Sequence, residues 1–444
     1  MTSVRTLINS KYFIAVCFIA AAAVRITWIL LIDIVPLSDF AWYYEKGLDI
    51  ASGKGYTIDG TPTAYYPVGY PMFLGSVFFV FGNSLLAAKA SNVLLSIGIL
   101  YFSYILSKKL FNSEQAGRIT LFILAIYPNF IAYTAVISTE ILFLFLFFLG
   151  AHIFINMKDK KWILIITGII WGLMCLVKPQ GFFIPLLFIT AIYFKNKKLF
   201  SERLKTLLIV YVFIFITLLP WMTRNYYAFG SFFVLSTNEG INLLIGNNPN
   251  ATGEYNLDEN TIKYLWDSEN KYASPDLLLR NLPGDAFWTK YGFKDELEAN
   301  RKFKNKAVDY ILNNPAKLTT LLPMKLWYNY KRGNEGIGIA VPTISDDPVL
   351  RMNSFKIFKK TGNYFYYLIM LMAGMYFIRI IYKRFMKKQK TYFPLTGLLI
   401  ILYFTLLSLV FFGGYRFNFP ALPWIIMFSA AFIDYLITPK YKIN

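Results

Sequence analysis

Apolar runs of about 17–25 residues recur along this chain, and short segments rich in lysine and arginine separate them. That length matches a helix crossing a hydrocarbon layer of about 30 Å. The first run, Tyr12 to about Ile34, carries Arg25 and is too long for a signal-peptide core. No small-residue cleavage site follows it, so it reads as a retained span. The pattern predicts ten spans, at about 12–34, 84–107, 117–135, 140–157, 161–177, 180–194, 206–222, 362–382, 393–411 and 417–437. Tyr70–Gly82 is apolar too, but its 13 residues suit an interfacial helix better than a crossing.

Charge supports this count. With ten spans and an inside N-terminus, 20 basic residues fall on short inside segments, in clusters such as Lys108–Lys109, Lys158–Lys161 and Lys383–Lys390 and in a tail with Lys440 and Lys442. Four (Lys46, Lys54, Lys178 and Arg416) fall on short outside segments. Counting Tyr70–Gly82 as a crossing would scatter the clusters to both sides, against the positive-inside rule. The expected fold is an all-α polytopic membrane bundle with external juxtamembrane helices and a small α or α+β external insert. Its expected parts are a bundle over 1–223 with an external loop at 35–83, an external domain over 224–360, and C-terminal spans over 361–444.

Composition agrees, with 56% apolar residues, 19% aromatics and 16% charged and a mean hydropathy of +0.46. The net charge of +20 is then a topological signal, and no nucleic-acid partner is expected. Cys17 and Cys175, the only cysteines, lie in apolar runs and frame no disulfide domain. Within the insert, Asp295–Asn313 reads as an amphipathic helix, and "KLTTLLPMKLWYNYK" is expected along the outer leaflet with its lysines facing away from lipid.

Candidate chemistry gathers at one face of the membrane. Ser38 is placed to cap a helix starting at Asp39 and stopping before the Gly-Lys-Gly at 53–55, with Tyr43 one turn beyond Asp39 on the same face. Asp39 reads either as a complement to the helix dipole or as a general base just above the membrane. Glu45, Asp49 and Asp59 are weaker candidates. Glu140 opens the fourth span, where it either helps a Ser138 or Thr139 cap or faces a cavity. Arg25, Lys89, Lys178, Arg224 and Arg416 lie in the outer half or at outer boundaries, and Asp33 is a loose partner for Arg25. Five cations and two acids at one mouth suggest a pocket for an anionic headgroup, since the arginine fork suits phosphate. His152, the only histidine, reads as a packed residue, and no metal-ligand spacing, P-loop or dinucleotide fingerprint occurs.

The order of several motifs resembles the GT-C glycosyltransferases of family 39, polyprenyl-phosphate-sugar-dependent enzymes that include protein mannosyltransferases and the lipid A aminoarabinose transferase. The resemblance rests on "SDFAWYYEKGLDIASGKGYTIDGTPTAYYPVGYP", "YPNFIAYTAVISTEILF", "LVKPQGFFIPL", "PWMTRNYYAFGSFFVLSTNEGINLLIGNNPNATGEY", "AVDYILNNPAKL" and "YRFNFPALP". It implies that Asp39 matches the catalytic acid and Glu140 the second acidic position. It also implies an inverting transfer of a hexosyl or pentosyl group from a polyprenyl-phosphate-linked sugar to an extracytoplasmic acceptor (lipid, glycan or protein). Tyr43 and the cations Arg25, Lys89, Lys178, Arg224 and Arg416 form the candidate substrate-binding pool. The loop lacks a strict Asp-X-Asp, so the metal-dependent oligosaccharyltransferase branch is not indicated; no cofactor is expected, and a divalent metal is left open. The expected location is the plasma membrane, with both termini cytoplasmic and the active site outside. Two rival classes remain, a transporter or flippase and a lipid-linked polysaccharide polymerase. The lack of internal repeats or paired broken helices weighs against transport.

Overall fold

The computed structural model describes residues 2–32, 34, 36–156, 161–195, 197–232, 235–266, 288, 292–340, 348–388 and 394–438. Asp33 and the basic residues Lys158, Lys160, Lys390, Lys440 and Lys442 lie outside these described residues. The N-terminal half holds α1 (Thr2–Asn9), α2 (Phe13–Leu31), α3 (Asp39–Ala51), a hairpin of β1 (Thr57–Ile58) and β2 (Thr61–Pro62), α4 (Gly69–Phe81) and α5 (Leu85–Phe111). There follow α6 (Glu114–Ile126), α7 (Pro128–Tyr133), α8 (Thr139–Ile155), α9 (Lys161–Val177), α10 (Ile184–Lys195) and α11 (Lys197–Phe229). The insert contributes α12 (Glu239–Gly246), α13 (Glu259–Trp266), α14 (Glu296–Asn313), α15 (Pro315–Tyr330) and α16 (Glu335–Ala340). The chain closes with α17 (Pro348–Ile381), α18 (Leu395–Val410), α19 (Tyr415–Asn418) and α20 (Leu422–Ile437).

Among the described residues, five helices are long and apolar enough to cross a membrane: Phe13–Leu31, Leu85–Phe111, Leu204–Phe229, Lys356–Arg384 and Tyr415–Ile437. Shorter apolar helices occupy most of the other predicted ranges. Helix α4 has 13 residues, about 20 Å at 1.5 Å per residue, which falls short of a bilayer. It packs instead on α3, where small residues let the backbones close in. A Cβ on Gly47 would meet Leu74 at 2.8 Å, and one on Gly75 would meet Ile50 at 2.7 Å. At its N-terminus Gly69 abuts the backbone of Leu176 and Val177, where a Cβ would sit 2.5 Å and 2.6 Å away. Helix α3 is thereby held beside the end of α9.

Local signals mostly behave as sequence chemistry requires. Asp295 caps α14, its side chain accepting from the Glu298 N–H at 2.8 Å. Asp59 and Gly60 have φ of 48° and 84°, suiting the tight turn of the β1–β2 hairpin, so Asp59 is a turn residue. Helix α3 starts and stops where expected, and Gly53 and Gly55 take positive φ at its exit. Ser38 does not cap it: with φ 53° and ψ −131°, its side chain makes no cap hydrogen bond. Nor do all lysines of α15 face away from the protein. Lys325 is fully buried, and its Nζ donates to Asn247 Oδ1 at 2.8 Å and to the Leu409 carbonyl at 3.0 Å. There it serves the carbonyl end of α18, the negative end of that helix dipole.

The predicted 117–135 span is two helices. Pro128 has no N–H to offer the Leu124 carbonyl and pushes Tyr127 into extended backbone, φ −66° and ψ 113°. Arg25 fills the gap from α2. Its Nη2 donates to Leu124 O at 3.0 Å, its Nη1 to Ala125 O at 2.8 Å and Ala21 O at 3.2 Å, and its Nε to Ser96 Oγ at 2.9 Å. Trp28, one turn further along α2, donates to the Ala132 carbonyl at 3.4 Å. Arg25 therefore works as the clamp of a helix break. Arg25→Ala would orphan buried carbonyls at about 1–3 kcal/mol each, so its thermal unfolding in detergent should fall well below that of the wild type. Lysine lacks the planar fork and should not restore it. Wild-type unfolding in Arg25→Ala would sink the assignment.

Candidate active site

Four side chains from distant parts of the chain meet at the tops of α3, α8, α9 and α19. Asp39, the first residue of α3, accepts from Arg416 Nη1 at 2.6 Å. The Nε of the same guanidinium donates to Glu140 Oε1 at 2.7 Å, and Lys178 Nζ reaches that oxygen at 3.1 Å. Thr139 Oγ1 donates to the other Glu140 oxygen at 3.3 Å. The side chain of Glu140 is wholly buried, those of Asp39 and Lys178 are nearly so, and Arg416 is 32% exposed. The arrangement is two carboxylates and two cations, with Arg416 shared between the acids and open to an incoming ligand. Among the described residues no group of three or more His, Cys, Asp or Glu is placed to hold a metal ion.

Tyr43 completes one wall, buried and ring to ring with Tyr66 at 5.4 Å and Tyr70 at 5.6 Å. Burial, and then the Asp39 charge, push its phenol well above the ordinary range, so it stays neutral. The other cations of the candidate pool bond elsewhere. Arg25 holds the helix break, and buried Lys89 donates to the Ile32 carbonyl at 2.8 Å. Arg224 donates to the carbonyls of Thr63 at 2.9 Å and Tyr56 at 2.7 Å while lying over the Trp221 ring at 4.8 Å. His152 is packed, as expected, against the rings of Tyr101 and Phe102.

Two acids that the sequence reading passed over matter here. Glu335, first residue of α16, lies in the electrostatic field of Arg416, Glu140, Asp39 and Lys178, and Tyr133 Oη points at its Oε2 from 3.5 Å. Burial raises its carboxyl to about 7. Glu296 opens α14, where it accepts from Thr63 Oγ1 at 2.8 Å and from the Ala64 N–H at 2.5 Å. Together with Arg224 it clamps the loop that carries Tyr65 and Tyr66. Those rings pack on Trp42 at 5.9 Å and 5.6 Å, and Trp42 Nε1 donates to Tyr56 Oη at 3.1 Å. Neither acid carries a signal in sequence, because each stands in a polar segment where carboxylates are ordinary.

The profile of the dolichyl-phosphate-mannose-protein mannosyltransferases matches residues 66–222, a stretch that contains Glu140 and Lys178. The oligosaccharyltransferase of Archaeoglobus fulgidus, in its apo form, superposes with a TM-score of 0.52 at 12% identity, covering 96% of this chain and 51% of that one. The AglB oligosaccharyltransferase of the same organism, in complex with an inhibitory peptide and a dolichol-phosphate, gives 0.50 at 14% identity, over 98% and 53%. ArnT from Cupriavidus metallidurans, bound to undecaprenyl phosphate, gives 0.44 at 12% identity, over 96% and 78%. The chain thus spans about half the length of the archaeal enzyme it matches. No curated protein sequence matches it. The resemblance to the GT-C glycosyltransferases stands, in sequence over 66–222 and in fold along nearly the whole chain.

The loop clamp has a pH signature. Burial lifts the Glu296 carboxyl from the ordinary 4.5 to about 7, against the opposing pull of its hydrogen bonds and of Arg224. Between those values the folded chain holds the proton more tightly than the unfolded chain. Stability from this group is therefore full below about pH 4.5 and lost as pH rises through about 7. The amide of Glu296→Gln keeps one acceptor for Ala64 and one donor for Thr63. It should remove about 3 kcal/mol of pH dependence across that window. Unfolding midpoints of both proteins over a pH series check this; identical slopes would refute it.

Proposed function

We propose that this chain is an integral-membrane inverting glycosyltransferase. It moves a sugar from a polyprenyl-phosphate carrier to an acceptor hydroxyl on the outer face of the membrane, with Asp39 as general base. One observation carries the reading: Asp39, Glu140, Lys178 and Arg416 converge from four separate segments, with the arginine the most exposed of them. The complex of the archaeal fold relative with a peptide and a dolichol-phosphate supports a lipid-phosphate carrier and a separate acceptor as the substrate pair. The reading includes ten crossings, cytoplasmic termini and an external insert over 224–360, which the basic clusters and apolar run lengths in the sequence support.

The chemistry follows. Asp39 takes the proton as the acceptor oxygen attacks the anomeric carbon, and the bond from that carbon to the phosphate oxygen breaks with its electron pair leaving on phosphate. Phosphate departs as an anion, so the cations have only to neutralise it. In the structure Arg416 occupies Asp39 Oδ2, an oxygen that would take that proton. Phosphate competing for the Arg416 fork would release Asp39 when the donor is in place. Lys178 stays with Glu140, which orients both cations.

Native mass spectrometry of the purified protein beside Asp39→Asn tests this reading. Asp39→Asn should retain a polyprenyl-phosphate sugar that the wild type turns over, with transfer slowed about 10²–10⁴-fold. If both proteins hold only bulk phospholipid, the donor site is wrong.

A further inference from the structure

Glu335 brings a third carboxylate to a site whose two cations are already matched by two acids. Its position is built with care. Helix α16 packs on α7, the short helix created by the Pro128 break, through Ala132 and Ile337. The Gly336 N–H donates to Asn129 Oδ1 at 2.8 Å, and a Cβ there would strike Tyr133 at 2.7 Å. Glu335 is partly exposed. Most of its surface is nonetheless covered, within the electrostatic field of the ion cluster and with Tyr133 Oη 3.5 Å away. The charged or titratable groups facing it are Arg416, Glu140, Asp39 and Lys178 from α19, α8, α3 and the end of α9, together with Tyr133 from α7.

The transfer reaction leaves one proton to be placed. Before it, the donor phosphate carries one negative charge and Asp39 another; after it, the phosphate monoester carries two and Asp39 is protonated. For Asp39 to return to the Arg416 pairing seen here at 2.6 Å, its proton must move to another group. We propose that Glu335 takes up this proton while the carrier phosphate is still bound, acting through Asp39 and not on the reacting atoms. The inference rests on the glycosyl-transfer reading. It is consistent with a carboxyl that burial holds near neutrality, since a phosphate dianion beside Arg416 and Lys178 would raise its proton affinity further.

The product complex is accessible without knowing the sugar. Undecaprenyl phosphate is titrated into the full-length protein near pH 7 by calorimetry, in buffers of differing ionisation heat, which counts the protons exchanged on binding. Wild-type protein should take up protons, Glu335→Gln should bind the lipid with that uptake reduced, and Glu335→Asp should restore it. Tyr133→Phe keeps the packing and removes the hydroxyl at Glu335, so it should shift the pH midpoint of the uptake. Equal uptake in Glu335→Gln, or an unmoved midpoint in Tyr133→Phe should the Gln variant not fold, overturns the proposal and leaves the donor site standing. Failure of undecaprenyl phosphate to bind wild-type protein overturns both.

Discussion

The carboxylate of Glu140 begins an apolar helix and has no exposed side-chain surface. Leaving water costs an ion several kcal/mol, and only close, well-aligned partners offset that. Arg416 and Lys178 supply them from two other segments. Replacing a buried pair of this kind with well-packed apolar residues is often neutral or stabilising, so stability alone gives little reason to keep the cluster. Its consequence is geometric. The top of α8, the end of α9 and the short helix α19 are all brought to one point, and Arg416 draws in Asp39 on α3 as well. Aromatic packing holds the same junction, with Phe419 stacked on Phe130 at 4.6 Å and close to Tyr133 at 4.3 Å.

A second buried charge does a different task in the same region. Ionisable groups within apolar helices commonly line a ligand or ion path, yet Arg25 spends its fork on backbone carbonyls. Pro128 withdraws one helical N–H, the chain bends into α7, and Arg25 supplies donors in place of the missing partner. The bend lets Asn129 and Tyr133 meet α16, and α16 carries Glu335. A proline, an arginine one hundred residues before the carbonyl it serves, and a glutamate two hundred residues later thus form one mechanical unit.

Much of this was legible in the sequence, for reasons that differ by residue. Apolar run length located the helices, because a membrane makes every span continuous and apolar. Asp39, Glu140, Lys178 and Arg416 stood out because few charged residues border such runs. The same rule also selected Arg25, Lys89 and Arg224, which donate to backbone carbonyls and do not join the acids. Which boundary cation meets an acid and which meets a carbonyl depends on how helices pack, and spacing carries no trace of that. The break at Pro128 had its signal in "YPN", but the continuous apolar count overrode it. Glu335 and Glu296 were invisible for the opposite reason to Asp39: amid the polar insert a carboxylate is no exception. Lys325 was misplaced because amphipathic periodicity describes one helix against a uniform surface, whereas α15 meets α18 end-on.

Arg416 and Lys178 pair charge for charge with Asp39 and Glu140, an arrangement a low-dielectric site tolerates well. In the proposed reaction a bound phosphate would break that balance, and one acid would give up its share of Arg416. Burial decides which one. Glu140 has no exposed side-chain surface, whereas the Asp39 side chain keeps 14% of its surface exposed, so water can take the place of a departing partner at Asp39 and not at Glu140. The guanidinium should therefore leave Asp39 and remain with Glu140. In the proposed reaction that asymmetry frees Asp39 Oδ2 for the acceptor's proton only when a phosphate is present to claim the arginine, so an acceptor alone would meet an oxygen still paired with Arg416. On the proposed reading, two acids of the same chemistry would take different roles, Glu140 as a fixed anchor and Asp39 as a releasable base, through the difference in their exposure to water.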